Sequence, residues 1–208
     1  MSISDKSREI LKNQLLDVAA NEFMNHGFVA VSLDSIIKKT GGSKSKIYNY
    51  FGGKEGLFIE CIRYKCNEIL SPLKNLNINE SDDLHKVLAQ FGKAFLATIL
   101  KEDAVHLLRL VISESVRFKD IGDIFINSGP KYAENYLAQY IERAQSSYTL
   151  QQSMVPERMA MQFIDMISRS FQLQLLIGNL SLVSEAEQAV VVDDAVALFS
   201  QGAGFKSD

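Results

Sequence analysis

Ser32–Lys54 reads SLDSIIKKTGGSKSKIYNYFGGK. Ser32 has the chemistry of an N-cap, a hydroxyl that can accept from an early backbone N–H, and Leu33, Ile36 and Ile37 follow it at helical spacing. The Gly41-Gly42 pair interrupts that helix: Gly41 can supply the left-handed backbone that ends it, and Ser43 can cap another. On the second helix Ile47 and Phe51, four apart, point inward and leave Lys44, Ser45, Lys46, Tyr48 and Asn49 outside. Two short helices joined by a glycine turn describe a helix-turn-helix over about residues 32–51, whose second helix fits the DNA major groove. Lysines, hydroxyls and an amide on an exposed helix suit hydrogen bonds to phosphates and base edges, although a solvated helix with an incidental basic face has the same composition.

Outward from this stretch, Ile10, Leu11, Leu15, Val18, Ala19 and Phe23 recur every three or four residues, the stripe of an amphipathic helix from Lys6 to about Asn25 that His26-Gly27 ends. A further helix is expected from Lys54 to Ser71, stopped by Pro72, as a lever between a small N-terminal unit and the rest. Ser81, Asp82 and Asp83 can start the next, Leu84 to about Lys101, and Asp103–Arg117 forms another. Phe118–Ser128 reads as irregular. Pro130 and Pro156 suit the first turns of two more helices, ending near Gln145 and Ile177, and Glu185 to about Ser200 forms the last. The fold class is therefore all-α: a three-helix N-terminal DNA-binding domain over residues 1–56 and a larger helical domain over 57–208.

The net charge of the 208-residue chain is −3, which looks wrong for a nucleic-acid partner until it is divided. Residues 1–56 carry +2 and the remainder −5, and Lys38 to Lys54 holds five lysines and no acid. Hydrophobic residues make up 47% of the chain, enough for a substantial core, yet no run of about 18 apolar residues occurs, and the start of the chain is polar; a cytoplasmic location is expected. Cys61 and Cys66, five apart on one helix, suggest neither a disulfide nor a metal clip. His26, His85 and His106 are scattered, no carboxylate-histidine cluster has metal-ligand spacing and no phosphate-cradling glycine loop occurs, so neither an enzyme nor a cofactor or metal is expected.

Residues 8–58 carry a dense and ordered set: Arg8-Glu9-Ile10-Leu11, Ala19-Ala20, Phe23, His26-Gly27-Phe28, Val31-Ser32-Leu33, Ile36, Gly41, Ser43-Lys44, Ile47-Tyr48, Tyr50-Phe51 and Lys54-Glu55-Gly56-Leu57-Phe58. This set resembles the N-terminal DNA-binding domain of TetR-family regulators. The resemblance implies that Ser32 meets a phosphate, that Ser43, Lys44, Ser45, Lys46 and Tyr48 lie in the major groove or on its flanking phosphates, and that Tyr50 and Lys54 anchor the backbone. Asn49, on the same exposed helix, joins the candidates, and Lys46 is the first choice for base contact. Gly42 departs from the family, which usually has an apolar turn residue there, and Ser45-Lys46 stands where a Gly-Thr pair is common. Further on, Leu107–Phe118 and Ser128-Gly129-Pro130 look like the C-terminal domain of the AefR-like branch.

The resemblance implies a homodimer whose last two long helices pair with their mates, and the need for two short recognition helices to read enough bases favours the same. Met159, Phe163, Met166, Ile167 and Phe171 on one helix and Val192, Val196 and Phe199 on the other are the expected interface. A small-molecule effector is expected in the helical core, with Phe91, Phe95, His106, Arg109, Leu110, Phe125, Tyr132 and Phe171 as lining. The function expected is a ligand-responsive homodimeric repressor on a palindromic operator, released by its effector. A sequence-nonspecific DNA-binding protein is the alternative, and a helical enzyme a remoter one.

Overall fold

The computed structural model describes residues 3–79, 82–147, 154–179 and 183–203. Eleven helices are defined there: α1 (Ile3–Ala30), α2 (Leu33–Thr40), α3 (Lys44–Phe51), α4 (Lys54–Ile69), α5 (Ser71–Lys74), α6 (Leu84–Ile99), α7 (Glu102–Glu114), α8 (Ile121–Ser128), α9 (Pro130–Ser147), α10 (Pro156–Leu176) and α11 (Glu185–Gly202). No strand occurs among the described residues, so the all-α class holds. None of these helices is long and apolar enough to cross a membrane.

Three local expectations are corrected. Phe118–Ser128 is not irregular throughout: Ile121 and Phe125, four apart, build α8, with Ile121 fully buried. Pro72 does not simply end α4, because it lies in the first turn of α5, where its missing N–H is an orphan in any case. The α1 stripe is also only half used. Ala19 and Phe23 are fully buried, whereas Ile10 and Leu11 are 58% and 61% exposed, since the covering helices reach only its later turns. Asp83 caps α6 by accepting from the Lys86 N–H at 2.9 Å; Ser81 lies outside the described residues.

The chain divides into two compact units. One comprises Met1–Glu68 with His106–Gly129, so it runs past the boundary expected at residue 56 and takes in the later part of α7 and all of α8. Its core is aromatic: Phe28 and Phe58 each lie within 6.0 Å, ring centre to ring centre, of both Phe23 and Phe118. This explains the grouping, because Phe118 fills space that the helix-turn-helix segment alone leaves open.

The other unit, Ile69–Val105 with Pro130–Asp208, packs α6, α9, α10 and α11 around Phe91, Leu88, Leu137, Phe163, Ile167 and Val192. Gly92 lets α11 come close to α6, since a Cβ there would stand 2.8 Å from Val192 Cγ1. Tyr136 and Tyr140 donate their hydroxyl protons to the carbonyls of Leu76 and Ile78, pinning the segment after α5 to α9.

Candidate nucleic-acid interface

Ser32 caps α2 through a reciprocal pair: its Oγ accepts from the Ser35 N–H at 3.0 Å, and its own N–H donates to Ser35 Oγ at 3.3 Å. Ser43 caps α3 by accepting from the Lys46 N–H at 3.4 Å. Each serine keeps its hydroxyl proton, so both expected phosphate contacts remain chemically open alongside the capping role. Gly41 has φ 64° and closes α2 by donating its N–H to the Ile37 carbonyl.

Across the turn, α3 is held from beneath by Ile47 and Phe51, 1% and 8% exposed. Ser43, Lys44, Ser45, Lys46, Tyr48, Asn49 and Tyr50 are all exposed, so the structure brings the candidate reading residues onto one short, anchored helix and its cap. Their engagements differ. Lys44 Nζ pairs with Asp34 Oδ2 at 2.8 Å, and that hydrogen bond and charge raise its pKa. Tyr48 lays its ring against Gly53, where a Cβ would meet Cε1 at 3.3 Å. Lys46 has no ion pair among the described residues.

Lys54 is placed differently from a simple phosphate anchor. Its Nζ sits 4.3 Å from the centre of the Phe28 ring and donates to the Val29 carbonyl at 3.4 Å, and burial, then the Arg117 charge, lowers its pKa. The ammonium therefore braces the end of α1 as well as standing beside the head's basic face.

The sequence did not reveal Glu114. α1 breaks at Gly27, with φ 74° and ψ 167°, which frees the Phe28 N–H from the helical ladder. Glu114 Oε1, 86 residues away at the end of α7, accepts that N–H at 3.0 Å, while its Oε2 stands 3.7 Å from Arg117 Nε. Gly27 signals that an N–H near it needs a partner, but nothing local identifies the acceptor. Glu114→Ala is expected to lower stability by about 1–2 kcal/mol, the cost of an unmet, half-buried donor, and Glu114→Gln much less because its amide oxygen still accepts. Chemical denaturation of both variants checks this.

α1 and α4 are fastened by Lys65, 3% exposed, whose Nζ reaches Asp17 Oδ1 at 3.0 Å and Glu68 Oε2 at 2.8 Å. Burial opposes its charge, but the two carboxylate hydrogen bonds outweigh it and the pKa rises. Cys61 and Cys66 are buried free thiols, and burial pushes the Cys61 thiol far up, so it is poorly nucleophilic.

The expected effector-lining residues fall into two sets. Phe91, Phe95, Tyr132 and Phe171 belong to the core of the second unit, with the Phe91 and Phe95 rings stacked 5.7 Å apart. His106, Arg109, Leu110 and Phe125 belong to the first unit. The expected interface stripe is largely corrected: Met159, Phe163, Ile167 and Val192 are no more than 1% exposed, and Val196 and Phe199 8%, because α6 and α9 already cover them. Phe171 is half-buried against the same core, and Met166 is exposed. The large exposed apolar residues here are Met161, Met166 and Leu173 on α10, Ile177 at its C-cap, and Val190 and Leu198 on α11.

A capped two-helix reader with an exposed basic second helix defines the class, a helix-turn-helix DNA-binding regulator. Residues 15–61 match the family described as bacterial regulatory proteins, tetR family, and residues 86–202 match the AefR-like transcriptional repressor C-terminal domain. The chain belongs to the TetR family of transcriptional regulators, with an AefR-like C-terminal domain. It is similar to the HTH-type transcriptional regulator YxaF of Bacillus subtilis (strain 168), 32% identical over 88 residues, which is 42% of this chain and just under half, 46%, of that protein. Among solved structures it resembles a regulator from Mesorhizobium loti MAFF303099 assigned to the same family, with TM-score 0.81, 21% identity and coverage of 97% and 98% of the two chains. It also resembles the flavonoid-responsive regulator FrrA, with TM-score 0.79, 28% identity and coverage of 93% and 97%.

Proposed function

We propose that the protein is a repressor that binds a palindromic operator as a homodimer and is released by a small-molecule effector in its C-terminal helical core. The observation that carries the DNA half is the eight-residue α3, anchored by Ile47 and Phe51 and otherwise presenting Lys44, Ser45, Lys46, Tyr48, Asn49 and Tyr50 outward. So short a helix reads few base pairs, which favours two copies on a two-fold site. The solvent-exposed Met166 and Leu173 of α10 and Ile177 at its C-cap, at spacings of seven and four, and Val190 and Leu198 of α11 are the surfaces open to a second copy.

For the effector, the aromatic row of Phe95, Phe91, Tyr136 and Tyr132, with successive centres 5.7, 6.2 and 6.2 Å apart, supports a planar aromatic molecule, and the flavonoid response of FrrA points the same way. Such a molecule changes DNA affinity only as far as it binds the free and DNA-bound forms unequally. On the DNA upstream of its own gene, the purified protein is expected to give a discrete gel-shift complex that survives physiological salt and excess unrelated duplex. Loss of that complex at the same salt that releases random DNA would favour nonspecific binding instead.

A further inference from the structure

A cleft of about 340 Å³ opens in the first unit beside the turn between α2 and α3, lined by Leu11, Leu15 and Val18 of α1 and by Ile37, Ile47 and Tyr50. Gly41 and Gly42 border it, and a Cβ built on either meets no atom within 4 Å. Gly41 needs its glycine, with φ 64°, but Gly42 has no positive φ, so its backbone would accept a side chain. Gly42 contributes no side chain beside this space, and Leu11 is 61% exposed there.

The charged residues lining the cleft are Lys12, Asp17, Lys39 and Lys46. Asp17 is balanced by Lys65 at 3.0 Å and Lys39 by Glu22 at 2.6 Å. Lys12 holds its Nζ 5.7 Å from the centre of the Phe51 ring, and among the described residues neither it nor Lys46 has an ion pair. Gln14, Thr40 and Ser43 complete a mixed lining, in which apolar side chains stand beside two ammonium groups without ion pairs; this complements a molecule that is apolar along its length and anionic at one end.

We propose that this cleft is a second ligand site, one that takes a small amphiphilic carboxylate. The apolar chain fills the space beside Gly42, and the carboxylate pairs with Lys12 and Lys46. A carboxylate on Lys46 also withdraws that ammonium from DNA. This last consequence rests on the DNA-reading role of Lys46, whereas binding does not, so the test is made without DNA.

The full-length protein, labelled with 15N, is titrated with octanoate and, separately, with octylammonium as the charge-reversed probe. Saturable movement of the Gly41 and Gly42 amide resonances with octanoate alone is expected. Lys12→Gln, and Gly42→Leu read at the Gly41 amide, are each expected to weaken octanoate by at least about tenfold, through loss of charge and of space respectively. Gly42→Leu should keep or raise the melting temperature, because its side chain enters open space and a glycine is removed from the unfolded chain. No saturable movement at Gly41 and Gly42, equal response to octylammonium, or undiminished octanoate binding by Lys12→Gln would overturn the site. If Gly42→Leu fails to fold, Lys12→Gln decides alone.

Discussion

Replacing Gly56 by alanine is expected to abolish specific DNA binding and to cost the first unit about 3 kcal/mol, the upper end of the range for overpacking. A Cβ built on Gly56 overlaps the backbone carbonyl oxygen of Phe51, the last residue of α3. A flexible side chain could turn away, but a carbonyl fixed at a helix terminus moves only with its helix. The joint between α3 and α4 has little slack: Gly52 at φ 75° caps α3 by donating to the Tyr48 carbonyl at 2.9 Å, and Gly53 at φ 129° accepts from the Leu57 N–H at 3.0 Å. Relief of the overlap therefore displaces either α3, which carries the candidate reading residues, or the start of α4, which carries the fully buried Leu57 and Phe58. Thermal unfolding and a gel shift on the operator measure both effects. Wild-type affinity in Gly56→Ala would show that the two helices do not need this close approach to read DNA.

Lys46→Ala is expected to relax base selection at one position of each operator half-site, with about 1–3 kcal/mol of discrimination lost there. Three lysines expected to meet DNA, Lys44, Lys46 and Lys54, separate by their surroundings. Lys44 is held by Asp34, Lys54 lies on the Phe28 ring at the end of α1, and Lys46 projects from the first turn of α3 with no ion pair among the described residues. The contrast is Lys54→Ala, expected to weaken specific and random duplexes alike, to flatten the salt dependence, and to loosen α1 through loss of the Val29 and Phe28 contacts. Selection from randomised duplexes by the wild type and both variants measures this. An unchanged selected sequence with Lys46→Ala would remove that residue from base reading.

The local devices of the reader were legible because their causes are local. Serine caps, the left-handed Gly41 and an i, i+4 pair of inward apolar residues act within a turn or two, and the capped helices stand where that chemistry puts them. The α8 helix was missed because eight residues between a charged turn and a Gly-Pro pair offer too short a period to separate from an irregular segment.

By itself, then, the sequence determined an all-α chain, a helix-turn-helix with a basic second helix, and membership of a family. Tertiary structure decided which neighbour covers each apolar stripe. Met159, Phe163, Ile167 and Val192 carry a periodicity equally fit for a partner or for their own core, and α6 and α9 bury them. It also decided that an acceptor 86 residues away meets the N–H exposed by the break at Gly27, and that a cleft opens beside Gly42. Periodicity and capping follow from the covalent neighbours of each residue, whereas burial, the pairing of charges and empty space depend on which distant segments pack together.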